Sequence, residues 1–415
     1  MTNEQPLRSG LTGSTPRDLR GFLDLLQAEG RVLNIDDATL PEPDVAAYCK
    51  AASGNHGSSH SLLFKNVVGY KGMRLAVNLL ASWANCAVMA GLPSGTPVSE
   101  LVIELCDRST RSAPQHELLK NPPGYECMES TNVDLYKILP LFRVHPLDGG
   151  FYLHKTCVVS PDFNTPLKPG RFKCGAYSVQ VQGRDKLGIH LSSTDNLGIH
   201  LRTAERLNRP LPVAVCLGVP PLCSLVASMG GGYETSEYDL VSTLSGTPIE
   251  LAQCLTSELV VPAFSEIVLE GYIQPRLRSP LGPVTGDRGR VSKISNQPQI
   301  KVTAIAHRKD PVLDNAYPGV KWTERDCVAG IAAALRINKY GRETLVQVAR
   351  SGTRAENMYL QMAFSNLFTG DVKSEESVEE TDPECVEQDV YLERIEELRR
   401  RSSQCHKPLP VHTSR

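Results

Sequence analysis

The hydrophobic pattern of the first third of the chain alternates between helical and strand-like spacing. A helix is predicted from 15 to 29, capped by Thr15, because its apolar residues fall at i, i+3, i+4 and i+7, namely Leu19, Phe22, Leu23 and Leu26. The same patterns predict two strands and two further helices, at 32–35, 61–66, 44–52 and 78–90. Residues 1–115 are therefore predicted to form an α/β region that ends before the Pro–Pro–Gly cluster at 122–124.

The pattern changes to short β-rich segments in the central region, residues 116–310. Closely spaced runs separated by Gly, Pro and Asp are typical of a barrel or sandwich, and they lie at 155–160, 175–182, 211–217, 258–261 and 267–269. The pentamer LGIHL occurs twice, at 187–191 and 197–201, which we interpret as two similar local elements.

The last region, residues 311–415, is short and carries little apolar patterning. A helix is predicted from Glu324 to Ile337. Residues 371–389 contain nine acidic side chains and one lysine, so we expect this run to be solvated and disordered.

Composition narrows the class of protein. The 415 residues are 41% hydrophobic with a net charge of −2, which favours a globular protein and argues against binding nucleic acid through bulk charge. No apolar run reaches the length of a membrane span and no apolar signal core begins the chain, so we expect a cytoplasmic protein without membrane contact. Twelve cysteines without a CxxC pair are expected to be reduced, buried thiols.

Three local clusters carry polar chemistry in the central region. The segment from His145 to Tyr152 is expected to form a turn in which Asp148 bonds the backbone, or else one wall of a binding site. The glycine-rich segment 228–233 is either a mobile loop or a close approach to a ligand such as a phosphate. Glu266 and Glu270 are expected on the polar face of one strand rather than as a catalytic pair.

Short segments along the chain, taken in order, resemble the UbiD family of decarboxylases. They are 18–23, 63–66, 78–91, 132–135, 148–152, 175–177, 210–218, 228–229, 236–238, 246–248, 261–263, 266–271 and 307–311. Each segment is weak alone, and their collinear order over about 300 residues carries the resemblance.

The resemblance implies an α/β amino-terminal region, a central split β-barrel like that of flavin reductases, and a carboxy-terminal α/β domain that mediates oligomerisation. In place of that last domain, this chain is expected to have a shortened, partly disordered carboxy-terminal region. It also implies prenylated FMN as cofactor, made by a flavin prenyltransferase and bound beside a divalent metal such as Mn²⁺, and a homodimer. Family members reversibly decarboxylate aromatic or α,β-unsaturated acids. The cofactor is needed because CO₂ loss from an sp² carbon leaves a carbanion that no side chain stabilises.

Several positions that match the family's cofactor site can be named from the resemblance. Glu237 matches the metal-binding glutamate, and the cofactor-binding positions are Lys173, Gly175, Ala176, Tyr177, Asn196, Ser228 and Met229. Lys173 replaces a metal-binding asparagine and Asn196 replaces a metal-binding histidine, for which His200 is a possible substitute. Metal binding is therefore doubtful, and the Lys173 ammonium would supply a positive charge beside a phosphate.

The catalytic positions depart further from the family pattern. Ser178 replaces the arginine that orients the substrate carboxylate, and Leu281 replaces the first of two catalytic acids. Asp287 matches the second acid if one residue is inserted. The sequence thus predicts a UbiD-like carboxy-lyase with an altered site, in which Ser178 and Asp287 are the catalytic candidates. The alternatives are a repurposed enzyme that performs isomerisation or cyclisation without prenylated FMN, and a catalytically inactive partner subunit.

Overall fold

A computed structural model describes residues 13–53, 59–164, 172–230, 235–286, 290–318 and 323–340. Its helices are α1 (Leu19–Ala28), α2 (Asp44–Ala52), α3 (Trp83–Met89), α4 (Val98–Ser109), α5 (Leu135–Ile138), α6 (Asn196–Arg206), α7 (Pro221–Ser228), α8 (Glu237–Ser245) and α9 (Glu324–Tyr340). Its strands are β1 (Val32–Ile35), β2 (Ser61–Phe64), β3 (Arg74–Val77), β4 (Glu117–Leu118), β5 (Cys127–Glu129), β6 (Phe151–Ser160), β7 (Lys173–Gly183), β8 (Lys186–Ile189), β9 (Leu211–Leu217), β10 (Glu250–Gln253), β11 (Val260–Pro262), β12 (Ile267–Leu281), β13 (Ser295–His307) and β14 (Val312–Asn315). Asp287 and the acidic run 371–389 lie outside the described residues.

Six antiparallel strands close into the central barrel. Their order is β12, β9, β6, β7, β8 and β13, and pairing between β12 and β13 completes the ring. Alternate side chains such as Val158, Val179 and Val215 fill the inside of the barrel. The other face of the wall, with Cys157 and Cys174, packs in a second core that includes α7 and α8. The predicted fold class, an α/β region followed by a central barrel, is confirmed.

A four-stranded sheet of order β1, β2, β3 and β14 forms the amino-terminal region. Strand β14, which follows the barrel in sequence, pairs in parallel with β3. Helix α1 buries the four predicted apolar residues, but it begins at Leu19 because Asp18, not Thr15, is the cap. The Asp18 carboxylate accepts a hydrogen bond of 2.8 Å from the Gly21 amide. Helix α3 also begins later than predicted, at Trp83, because Asn78 is in the left-handed region with φ of 59°.

The two LGIHL pentamers adopt different secondary structures, so the interpretation as similar elements was wrong. The first lies mainly in β8, where Leu187 pairs with strands on both sides. The second lies in α6, which starts after the extended residue Asp195 and buries Leu197 and Leu201. Neighbouring strands, rather than the five residues themselves, decide which structure forms.

The cysteines differ from the prediction at one pair. Cys157 and Cys174, on adjacent strands of the barrel wall, form a disulfide with a Cα–Cα distance of 6.0 Å. The strand register explains this, because Cys174 lies opposite Val159, two residues from Cys157 on the same face. Eight other described cysteines lie outside this disulfide, and six of them are buried as predicted.

Glu266 and Glu270 are buried, so the prediction that they lie on a polar face was wrong. Glu266 is 2.9 Å from Arg20 and 3.2 Å from Arg308, which ties α1 to the barrel. Glu270 accepts hydrogen bonds from two loop amides. Both carboxylates therefore stabilise the fold. Within the described ranges, no helix has the length and apolarity needed to cross a bilayer.

Candidate active site

Two neighbouring strands of the barrel wall, β6 and β7, carry side chains that are not fully buried, and residues 175–178 of β7 are called the uncovered strip. On β7, residues 173–174 and 179–181 are buried, whereas residues 175–178 between them are partly or fully exposed. On β6, His154 and Lys155 are half-buried between buried neighbours. The register shifts between Leu153 and Thr156, so two residues of β6 stand opposite Ser178 in a β-bulge. Bulges re-aim side chains next to active sites, and here the bulge places the His154 ring against Ser178.

Lys173 and Glu237 form a buried ion pair at the first residue of β7. The ammonium Nζ lies 3.5 Å from Glu237 Oε1, and the side chains are 9% and 5% exposed. Lys173 also donates a hydrogen bond to the Thr235 carbonyl, and the Cys174 amide lies 3.5 Å from Glu237 Oε2. Burial raises the pKa of Glu237, while the charge of Lys173 opposes that rise. The two residues that match metal ligands of the family therefore neutralise each other.

Helices α7 and α8 place three more of the predicted residues. Met229 is buried just beyond α7, and Ser228 is exposed with its hydroxyl donating to the Ser224 carbonyl at 2.8 Å. Glu237 is the first residue of α8, where Ser236 caps the helix by accepting from the Asp239 amide. The loop of residues 231–234 between the helices lies outside the described residues.

The start of α6 lies against Tyr177. Asn196 is the first residue of this helix, and the Tyr177 hydroxyl accepts a hydrogen bond of 3.4 Å from the Leu197 amide. His200, one turn further, is fully buried with its Nδ1 at 2.9 Å from Ser160 Oγ. Burial lowers the pKa of His200 to about 4, and the charge of Lys173 adds to this effect. His200 is therefore a neutral core residue with a structural hydrogen bond.

Ser178 contacts a histidine that the sequence analysis did not single out. The His154 Nδ1 lies 3.3 Å from Ser178 Oγ across the bulge. Burial lowers the pKa of His154 to about 4, so the ring is neutral at physiological pH. The only sequence signal was a histidine followed by a lysine in an otherwise apolar strand.

A buried lysine bridges two carboxylates beside the same bulge. Lys155 Nζ lies 2.7 Å from Asp314 on β14 and contacts Glu324 at the start of α9. Both carboxylates are buried, at 2% and 3% exposure. Burial and the charge of Glu324 raise the pKa of Asp314, although Lys155 opposes that rise. The Lys155 ammonium therefore balances part of the charge of the two buried carboxylates.

The end of β12 holds the positions that match the family's acids. Leu281 is buried at 4% exposure, so no carboxylate stands there. Asp148 fastens the adjoining loop by accepting from the His145 amide at 3.0 Å and the Thr285 amide at 2.6 Å. The prediction that Asp148 forms a backbone-bonding turn is thus confirmed. The position of Asp287 stays a prediction.

Similarity to known proteins extends over most of the described region. Residues 23–105 match the profile of the 3-octaprenyl-4-hydroxybenzoate carboxy-lyase N-terminal domain, and residues 118–321 match its Rift-related domain. A phenolic acid decarboxylase of Bacillus subtilis is 38% identical over 315 residues, which are 76% of this chain and 67% of the relative. The chain therefore spans about two thirds of the length of that relative.

Solved structures show the same fold. The vanillic acid decarboxylase of Sedimentibacter hydroxybenzoicus in its closed form has a TM-score of 0.74 and 35% identity, covering 76% of this chain and 67% of that chain. An evolved dimeric form of HmfF from Pelotomaculum thermopropionicum, solved with prFMN, has a TM-score of 0.69 and 29% identity over 80% of this chain and 73% of that chain. The family resemblance is thereby confirmed, and the chain belongs to the UbiD family of carboxy-lyases.

Proposed function

We propose that this chain is a UbiD-type decarboxylase that acts on an aromatic carboxylic acid with prenylated FMN. The observation that carries the proposal is that residues 175–178 of β7, the segment that matches the family's flavin site, are partly or fully exposed between buried residues of the same strand. Relatives named phenolic acid decarboxylase and vanillic acid decarboxylase support an aromatic substrate.

The residues around the strip fit the flavin. Those that would hold it are Lys173, Gly175, Ala176, Tyr177, Asn196, Ser228 and Met229. Lys173 would bind the phosphate as a point charge. When bound, the modified flavin supplies the electron sink that decarboxylation at an sp² carbon requires.

The donor set does not fit a divalent metal. Lys173 places an ammonium 3.5 Å from Glu237, and a metal ion held by that glutamate would be repelled by it. Among the residues with described positions, no three His, Cys, Asp or Glu side chains are grouped as metal ligands. We therefore propose that the Lys173–Glu237 pair replaces the family's metal beside the phosphate.

Ser178 and Asp287 are the proposed catalytic residues. Ser178 is proposed to help position the substrate carboxylate in place of the arginine, through a neutral hydrogen bond that is weaker than a charged fork. Asp287 is proposed to return a proton to the carbon that loses CO₂.

The second candidate function is a member of the family that does not decarboxylate. Leu281 is a buried apolar side chain where the family has an acid, and Ser178 lacks the charge of the arginine. These two observations favour either isomerisation or cyclisation without prenylated FMN, or a non-catalytic partner subunit.

The proposal extends to the protein's partners and location. We propose a homodimer in the cytoplasm that receives its cofactor from a flavin prenyltransferase. Light scattering during size-exclusion chromatography measures the oligomer, and a mass of about 45 kDa for the eluting species would contradict the dimer.

Co-expression with a flavin prenyltransferase tests the function directly. The purified protein should carry the modified flavin in its absorption spectrum and mass, and it should convert acids such as 4-hydroxybenzoate or vanillate to the phenols. Bound cofactor without turnover on a panel of aromatic acids would contradict decarboxylation of this substrate class. Absence of the cofactor would favour the two alternatives, which a substrate screen would then separate.

A further inference from the structure

We propose that His154 binds the substrate carboxylate through its Nε2–H group and so takes the place of the missing arginine. The inference rests on the proposed function and adds a residue that the family resemblance did not supply. In this proposal the β6 bulge recognises a carboxylate beside the uncovered strip. Ser178 then acts on the substrate through His154 as a positioning residue.

Two contacts hold the His154 ring, and a hydrogen bond to Asn315 holds its backbone. It stacks on Tyr152 with ring centroids 5.7 Å apart and planes 17° from parallel. Its Nδ1 lies 3.3 Å from Ser178 Oγ. Its backbone amide donates to Asn315 Oδ1 at 2.8 Å, while the Asn315 amide donates to the Tyr152 carbonyl at 3.1 Å. A ring fixed in this way presents Nε2 in one direction without further loss of side-chain entropy.

The Nε2 atom is buried and has no hydrogen-bond partner among the described residues. A buried polar atom without a partner costs about 1–3 kcal/mol, so native proteins keep few of them. His154 stands opposite Ser178 of the uncovered strip, with which its ring is in contact. A ligand oxygen would satisfy the atom that the protein itself leaves without a partner.

The charge and the tautomer of the ring both favour a carboxylate. The proposal assigns the ring proton to Nε2, the tautomer in which Nδ1 accepts from the Ser178 hydroxyl across the 3.3 Å contact. The charge of Arg325, at the start of α9, acts on His154 and contributes to keeping the ring neutral. A neutral N–H donor with a cation nearby binds an anionic carboxylate oxygen. A ligand without a carboxylate has no such oxygen and gains nothing from this donor.

Two substitutions of His154 distinguish the contributions of its two ring nitrogen atoms. In His154→Gln the side-chain amide reaches about as far as Nε2, so the donor to the ligand is kept. In His154→Asn the shorter amide matches Nδ1, so the contact with Ser178 is kept and the donor to the ligand is lost. Both variants lose the ring that stacks on Tyr152, so the difference between them reports the two nitrogen contacts without the ring. Melting temperatures of both variants verify that they fold.

The probes are benzoate and phenol, which differ by the carboxylate, and their dissociation constants are measured on the cofactor-loaded protein by fluorescence titration. A hydrogen bond to a charged group is worth about 10- to 100-fold in affinity. His154→Asn should weaken benzoate binding by that factor relative to His154→Gln, and it should change phenol binding less than about threefold. Turnover of 4-hydroxybenzoate should fall mainly through KM.

Each outcome decides the inference. Equal loss of benzoate and phenol affinity, or equal affinities in the two variants, would overturn the role of His154 and leave the decarboxylase proposal standing. Selective loss of benzoate affinity in a protein that decarboxylates no acid would support His154 and overturn the decarboxylase. A wild-type protein that does not bind benzoate would overturn both.

Discussion

Replacing Lys173 with methionine should destabilise the protein at neutral pH much more than at acidic pH. The Lys173–Glu237 pair is almost fully buried, and removing one partner of such a pair costs about 3–5 kcal/mol if the other stays charged. Glu237 can avoid part of that cost by taking up a proton. Its ordinary pKa is 4.5, about two and a half units below pH 7, so protonation at pH 7 costs at most about 3 kcal/mol. At pH 5 the same cost is below about 1 kcal/mol.

The direction of the pH dependence of stability follows from the raised pKa of Glu237. Burial raises the pKa of Glu237 in the folded protein, and loss of the ammonium raises it further. The folded state then holds a proton that the unfolded state has released, so stability falls as pH rises above the ordinary value. The expected result for Lys173→Met is a loss of up to about 3 kcal/mol at pH 7 and less than about 1 kcal/mol at pH 5.

Urea unfolding followed by circular dichroism at both pH values measures these losses. The double variant Lys173→Met with Glu237→Gln removes both charges and should recover most of the loss at pH 7. Lys186→Met, at an exposed position, serves as the matched control and should stay within about 0.5 kcal/mol of wild type. Equal destabilisation by Lys173→Met at the two pH values, or no recovery in the double variant, would refute the ion pair as the reason.

Three further predictions concern other parts of the molecule. Asp314→Asn should flatten the fall in stability between pH 5 and pH 8, because a carboxyl with a raised pKa destabilises the folded state as it ionises, and Lys155 offsets this only in part. An unchanged pH dependence of the melting temperature would count against this prediction. Cys157→Ala should lower the free energy of unfolding by about 3 kcal/mol through loss of the link to Cys174, and a non-reducing peptide map without that link would contradict the pairing. Asp287→Asn should lower turnover at least about a hundredfold with ligand binding retained, whereas turnover within a few-fold of wild type would remove Asp287 from the mechanism.

The local elements were predictable where residue spacing decides the structure. The buried face of α1 follows directly from Leu19, Phe22, Leu23 and Leu26, because one helix period places them together. The barrel followed from the density of short β-rich segments. The start of α1 was misplaced because Thr15 and Asp18 are both acceptable caps, and only the folded backbone decides between them.

The arrangement of the candidate site depended on strand register, which a single sequence does not specify. The disulfide between Cys157 and Cys174 and the contact between His154 and Ser178 both arise from the pairing of β6 with β7. The bulge that brings His154 opposite Ser178 is one residue out of register, and one residue decides which face a side chain occupies. The partnership of Lys155 with Asp314 likewise requires β14 to return to the amino-terminal sheet.

The proposed activity is decarboxylation of an aromatic acid, with Lys173 in place of the family's metal. Exchange of the carboxyl group with ¹³C-bicarbonate tests both parts in one measurement. The cofactor-loaded protein, dialysed against EDTA, is incubated with 4-hydroxybenzoate or vanillate and labelled bicarbonate, and the acid is analysed by mass spectrometry. We expect the acid to gain one mass unit at the carboxyl carbon, as it should with the Bacillus subtilis phenolic acid decarboxylase before EDTA treatment. No label with this protein, under conditions in which that enzyme labels its acid, would contradict decarboxylation, and label that appears only after Mn²⁺ is restored would contradict the role of Lys173.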